Sequence, residues 1–141
     1  VGALSSQGTW CGVEQHETLV EAARRLAKLM GAGDNTRFMH GDVFSLDWAQ
    51  FDALYFFNPF ELEVDLSASP HTVVDYHVTI AKVEDRLAGL REGTRVVTLN
   101  GFGGTMPASY RLAYHERIAG MGEDLVLWIQ RERFGRGIVV S

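Results

Sequence analysis

Three polar positions stand where apolar runs give out: Glu14 after Trp10-Cys11-Gly12-Val13, Asp42 after Phe38-Met39-His40-Gly41, and Asn58 after Leu54-Tyr55-Phe56-Phe57. In open α/β sheets, ligands bind outside the carboxyl ends of the strands. If these runs are strands, their ends define one chemical edge. An acidic residue ending a strand can accept hydrogen bonds from both hydroxyls of a ribose. A carboxylate beyond the next strand can accept from an exocyclic amine such as that of adenine. Glu14 and Asp42 would then bind an adenosine. One strand further, the Asn58 amide, the rigid turn of Pro59 and the ring of Phe60 could hold a small planar or amine-bearing group. Each position also has a structural reading. Glu14 could cap the helix that follows or complement its dipole, Asp42 could close a turn after Gly41, and Asn58-Pro59 could open a turn.

The elements that would position these groups follow from periodicity. Residues Thr9 to Val13 read as a short strand closed by Glu14 and Gln15. A helix is expected from about His16 to Met30, with Leu19, Ala22, Ala23, Leu26, Ala27 and Met30 on one stripe and Glu21, Arg24, Arg25 and Lys28 facing away. Gly31, Gly33, Asp34 and Asn35 stop it. Thr36 to Met39 read as a second strand. The run before Asn58 is apolar throughout, which fits a strand covered on both faces. Glu61 to His71 reads as an irregular connection, and Val73 to Leu90 carries helical spacing at Tyr76, Ile80, Val83, Leu87 and Leu90. Arg95 to Leu99 is a further strand. Tyr110 to Ile118 and Leu125 to Ile129, joined by Ala119-Gly120-Met121-Gly122, read as a hairpin. Ile138 to Val140 could add a last short strand. The alternation predicts an α/β fold, with a mostly parallel sheet, flanking helices and one antiparallel edge.

The 141 residues suit a single domain, with 46% apolar content and a net charge of −5. That charge gives little reason to expect sequence-independent nucleic-acid binding. No apolar run approaches the roughly 20 residues a membrane helix needs. The opening residues lack a basic segment followed by an apolar core, so a cytoplasmic protein is expected. Cys11 is the only cysteine, reads as a buried thiol, and offers no internal disulfide. The five histidines lack paired metal-ligand spacing, so no metal site is expected. Trp10, Trp48 and Trp128 are expected in or over the core.

Taken in order, Cys11-Gly12-Val13-Glu14, Gly41-Asp42-Val43-Phe44 and Tyr55-Phe56-Phe57-Asn58-Pro59-Phe60 resemble the class I S-adenosylmethionine-dependent methyltransferases. The first looks like the family's second strand with its ribose-binding acid, the second like its loop after strand three, and the third like its fourth motif. The closing hairpin is similar to the family's sixth and seventh strands. The resemblance spans nearly the whole chain. It implies a Rossmann-like fold and S-adenosylmethionine as cofactor. It also implies that Glu14, Gln15, Asp42, Val43 and Asn58 line the cofactor site, and that Asn58, Pro59 and Phe60 position the methyl acceptor. Amino-methylating branches of the family often carry Asn-Pro-Pro followed by an aromatic. Here Phe60 follows Pro59 directly, so an amine acceptor is an expectation on Asn58-Pro59-Phe60 alone.

The family's first motif, a glycine-rich loop after its first strand, does not precede Glu14. Gly101-Phe102-Gly103-Gly104 is no substitute, because it leads to Pro107 and a predicted strand, whereas a phosphate-binding loop opens a helix. The resemblance therefore implies an N-terminally incomplete domain whose first strand and glycine loop are missing. Such a chain is expected to be poorly stable alone or to associate, a homo-oligomer included. Two other functions fit parts of the pattern. A nicotinamide-dependent (NAD) oxidoreductase would also use an acid at Glu14, and a methyltransferase-like fold without the glycine loop could be a non-catalytic binding module.

Overall fold

A computed structural model describes residue 4 and residues 6–57, 70–120 and 122–131, with the side chains of 70–74 left aside. The chain divides into two compact units, residues 1–47 and 48–141. Each has its own sheet.

The first unit is a βαβ element. Strand β1 (Trp10–Glu14) and strand β2 (Thr36–His40) pair in parallel, with Trp10 opposite Thr36 and Glu14 opposite His40. Helix α1 (Glu17–Leu29) makes the crossover that parallel neighbours require. It ends where the sequence says it should. Gly31 takes φ 72°, its N–H donates to the Lys28 carbonyl, and the Ala32 N–H reaches back to the Ala27 carbonyl. This pair of bonds is the Schellman arrangement that satisfies last-turn carbonyls. A 3₁₀ turn (Gly33–Asn35) then leads into β2. Gly12 has a steric reason to be glycine. A Cβ there would meet the Phe38 ring at 2.8 Å, directly across the ladder.

The buried stripe of α1 differs from the expected one. Val20 and Ala27 are buried and Ala23 is half-buried, whereas Leu19, Leu26 and Met30 are exposed. Arg24 does not face away. Its Nε and Nη2 donate to the Phe38 carbonyl at 3.2 and 2.7 Å. The helix is rolled so that small and β-branched residues sit against the strands, which lets helix and sheet approach closely. Trp10 also departs from expectation. It is 41% exposed, and its indole donates to Ser6 Oγ at 2.9 Å. Cys11 is a free, half-buried thiol.

The second unit is a four-stranded sheet in the order β3-β4-β6-β5. Strands β3 (Ala53–Phe57) and β4 (Arg95–Leu99) are parallel, joined through helix α2 (Pro70–Ala88). Strands β5 (Tyr110–Ile118) and β6 (Glu123–Gln130) form the hairpin, and β6 runs antiparallel to β4. This is the mixed α/β architecture predicted. Residues directly opposite one another share a face. One face holds Phe56, Val96, Thr98, Tyr110 and Gln130, all buried. It meets Ile80, Val83 and Leu87, the buried residues of α2. The Tyr110 hydroxyl donates to the Leu87 carbonyl at 3.0 Å, and Gln130 Nε2 donates to the Leu90 carbonyl at 3.2 Å. Val83 and Leu87 are completely buried, each contributing roughly 1.5–3 kcal/mol by leaving water. Trp48 is buried as expected, with its ring 5.8 Å from that of Phe56.

Strand β3 is not covered on both faces. Phe56 is buried, but Tyr55 is 51% and Phe57 63% exposed. Among the described residues, helix α2 covers the Phe56 face.

Candidate functional site

Two of the three chemical positions fall in the first unit, at the carboxyl ends of its neighbouring strands. Glu14 is the last residue of β1. Its ladder continues one step further, because the Gly41 N–H donates to the Glu14 carbonyl at 3.0 Å. That bond brings the start of the post-β2 turn to the end of β1. A second tie comes from His40, whose Nε2 lies 2.9 Å from the Gln15 carbonyl. The two loops that carry Glu14, Gln15, Asp42 and Val43 are thus fastened together.

Each carboxylate also organises its own backbone. Glu14 Oε1 accepts from the His16 N–H at 2.9 Å, supporting the chain just before α1. Asp42 Oδ1 accepts from the Phe44 N–H at 2.9 Å, and the Asp42 carbonyl accepts from the Ser45 N–H and hydroxyl at 3.0 and 2.6 Å. Asp42 is therefore the N-cap of a short 3₁₀ turn (Val43–Ser45). The turn reading of Asp42 is met, whereas Glu14 braces the residue before α1 and caps none of the helix's own first-turn N–H groups. These bonds leave one oxygen of each carboxylate without a hydrogen-bond partner among the described residues. Glu14 is half-buried and Asp42 exposed, so both open oxygens belong to fixed side chains within reach of solvent. Carboxylate oxygens of this kind can accept hydrogen bonds from hydroxyl or amine donors.

In the second unit, β3 ends at Phe57. Asn58, Pro59 and Phe60, the residues assigned to acceptor positioning and in part to the cofactor, lie outside the described residues. The neighbouring parallel strand ends in a turn that composition alone did not single out. Asn100 takes φ 60°, a left-handed conformation that asparagine tolerates better than most residues. Its N–H donates to the Asp124 carbonyl at 2.9 Å, and its Oδ1 accepts from the Asp124 N–H at 3.1 Å. Asp124 in turn meets His115 at 2.9 Å and Arg117 at 3.3 Å. An asparagine placed between an apolar strand and Gly101-Phe102-Gly103-Gly104 was the available signal. The glycine run opens no helix and leads on to β5, as expected. Phe102 is buried 6.0 Å from the Phe56 ring. At Gly103, with φ 87°, a Cβ would lie 2.0 Å from the Tyr76 hydroxyl. Tyr76 and His77 meet edge to face at 5.7 Å.

A shallow groove of about 310 Å³ lies between α1 and β2, lined by Arg24, Ala27, Gly33, Thr36, Arg37 and Phe38. It opens near the start of β2, the opposite end of the unit from Glu14 and Asp42, and is not the site described above. Among the described residues, no helix is long and apolar enough to cross a membrane, and no three His, Cys, Asp or Glu side chains gather as a metal site.

No protein-family model matches this chain, and no curated protein sequence matches it significantly. Solved structures do. An RNA methyltransferase from Salinibacter ruber, in complex with S-adenosyl-L-homocysteine, superposes with a TM-score of 0.60 at 21% identity, over 89% of this chain and 68% of that one. The protein yhhF from Escherichia coli, assigned as a methyltransferase, gives 0.57 at 16% identity, over 89% and 64%. An assigned rRNA methylase from Clostridium thermocellum gives 0.54 at 11% identity, over 89% and 76%. The chain thus spans 64% to 76% of these proteins' lengths. Parallel strands ending in Glu14 and His40, the β3-α2-β4 crossover, the closing hairpin and these superpositions together show that the chain has the fold of the class I S-adenosylmethionine-dependent methyltransferases.

Proposed function

We propose that this protein binds S-adenosylmethionine and transfers its methyl group to an amine on a planar acceptor. The observation that carries the reading is the anchored pair Glu14 and Asp42. Each carboxylate is fixed by one backbone N–H and keeps its second oxygen open at the carboxyl ends of adjacent parallel strands. In this reading Glu14 accepts from the ribose hydroxyls, Asp42 accepts from the adenine amine, and Gln15 and Val43 flank them in the two fastened loops. When bound, the cofactor supplies an electrophilic methyl on a sulfonium leaving group.

The chain's own task is positioning. In-line attack needs the acceptor's lone pair close to the methyl and free of protons. Asn58 would accept the hydrogens of an amine through its side-chain oxygen, Pro59 would hold the turn rigid, and Phe60 would stack on the acceptor ring. Positioning of this kind can lower a barrier by roughly 7–11 kcal/mol in favourable cases. Two of the structural neighbours are an RNA methyltransferase and an assigned rRNA methylase, which makes an RNA base the first acceptor class to test.

A nicotinamide-dependent oxidoreductase is the second reading, favoured by the acid at the end of β1 alone. Calorimetry separates the two. S-adenosyl-L-homocysteine is expected to bind the chain and NAD is not. Glu14→Gln and Asp42→Asn are each expected to weaken binding roughly tenfold or more, as the loss of a charge-assisted hydrogen bond implies. Binding of NAD alone, or of neither compound, overturns the proposal.

A further inference from the structure

One carbonyl of β2 is taken by a side chain and not by a strand. Successive residues of a strand turn their N–H and C=O groups to opposite sides. The Gly41 N–H donates to the Glu14 carbonyl, so Arg37, Met39 and Gly41 turn their backbone groups toward β1. Thr36, Phe38 and His40 turn theirs the other way. The Phe38 carbonyl, at the middle of that outer row, accepts from Arg24 Nε at 3.2 Å and from Arg24 Nη2 at 2.7 Å. Two N–H groups of one guanidinium thus hold the place that the N–H of an adjoining strand would take.

This occupation excludes a strand. Paired strands lie about 4.8 Å apart, and a planar guanidinium on the carbonyl fills that space. A strand could add only by breaking both bonds. The root of the Arg24 side chain is fixed by its helix, because Val20 and Ala27, one turn before and after it, are buried. An unpaired strand edge is a template for another chain, and charged side chains blunt it. Arg37, exposed at the middle of the same strand, adds a second positive charge. Two copies pairing through β2 would bring Arg24 and Arg37 of both to one seam, and like charges brought together oppose association.

We propose that Arg24 is an edge guard: its guanidinium, seated on the Phe38 carbonyl, ends the smaller sheet at β2 and keeps the strand of a second copy from adding there. The guard makes neither of its bonds to Glu14 or Asp42, so it stands apart from the methyl-donor reading.

Amide exchange on the unaltered chain is the first test. The N–H groups of Phe38 and His40 should exchange about tenfold faster or more than those of Arg37 and Met39, which face β1. Equal exchange in the two sets overturns the proposal, since the outer row would then be paired or the ladder absent. Arg24→Ala removes the guard. In sedimentation velocity this variant should self-associate at concentrations about tenfold lower than the parent requires, and Phe38 and His40 should gain protection in the associated form. Arg25→Ala, one position along and exposed, loses the same charge and should behave as the parent. Far-UV circular dichroism verifies that both variants keep their fold; should Arg24→Ala unfold, the exchange pattern of the unaltered chain decides alone. An Arg24→Ala chain that is folded and no more associated than the parent overturns the proposal. So does association that leaves Phe38 and His40 unprotected, or an equal effect of Arg25→Ala.

Discussion

At Glu14 and Asp42 one oxygen organises backbone and the other is open to a ligand. The two roles can be separated experimentally. Glu14→Gln keeps an acceptor for the His16 N–H, so its stability in urea should match the parent while its affinity for S-adenosyl-L-homocysteine falls. Glu14→Ala removes both roles, and an additional loss of about 0.5–1.5 kcal/mol in unfolding free energy is expected. Gly12 bears on the same strand end through packing. With the Phe38 ring 2.8 Å from any Cβ, Gly12→Ala should cost about 1–3 kcal/mol by overpacking, measured by denaturant unfolding. These residues were legible in the sequence because short polar residues ended apolar runs. Asn100 was not, because its role depends on Asp124, 24 positions away.

Element boundaries were the most legible feature. Turn residues such as Gly31 and the β6 hairpin partner of β5 fell where composition put them. The faces were less legible. On α1, Leu19, Leu26 and Met30 have helical spacing, yet the helix presents Val20, Ala23 and Ala27 to its strands. On β3, an apolar run predicted two covering layers, and helix α2 supplies one. Periodicity reports which residues share a side; it does not report what lies opposite. Tyr110 shows the covered side at work. Burial raises its hydroxyl from the usual 10.0 to about 12. A phenol whose pKa is raised on folding stabilises the native state fully below pH 10. That contribution is lost as pH rises from 10 through 12, because the unfolded chain releases its proton first. Stability should therefore decline across that interval. Tyr110→Phe should remove this part of the slope while costing about 1 kcal/mol at neutral pH for the lost bond to the Leu87 carbonyl.

At the scale of the whole molecule, two units carry two separate sheets, and β1 and β3 each show an edge with no partner among the described residues. The proposed methyl-donor site lies in the smaller unit and can be probed without knowledge of the acceptor. The most direct test is a titration of S-adenosyl-L-homocysteine into ¹⁵N-labelled protein, followed by amide chemical shifts. The expected result is saturable change centred on the amides of Gln15, His16, Asp42, Val43 and Phe44. Changes confined to the groove at Arg24 and Arg37, or no change at saturating ligand, would contradict the assignment of Glu14 and Asp42 to the cofactor.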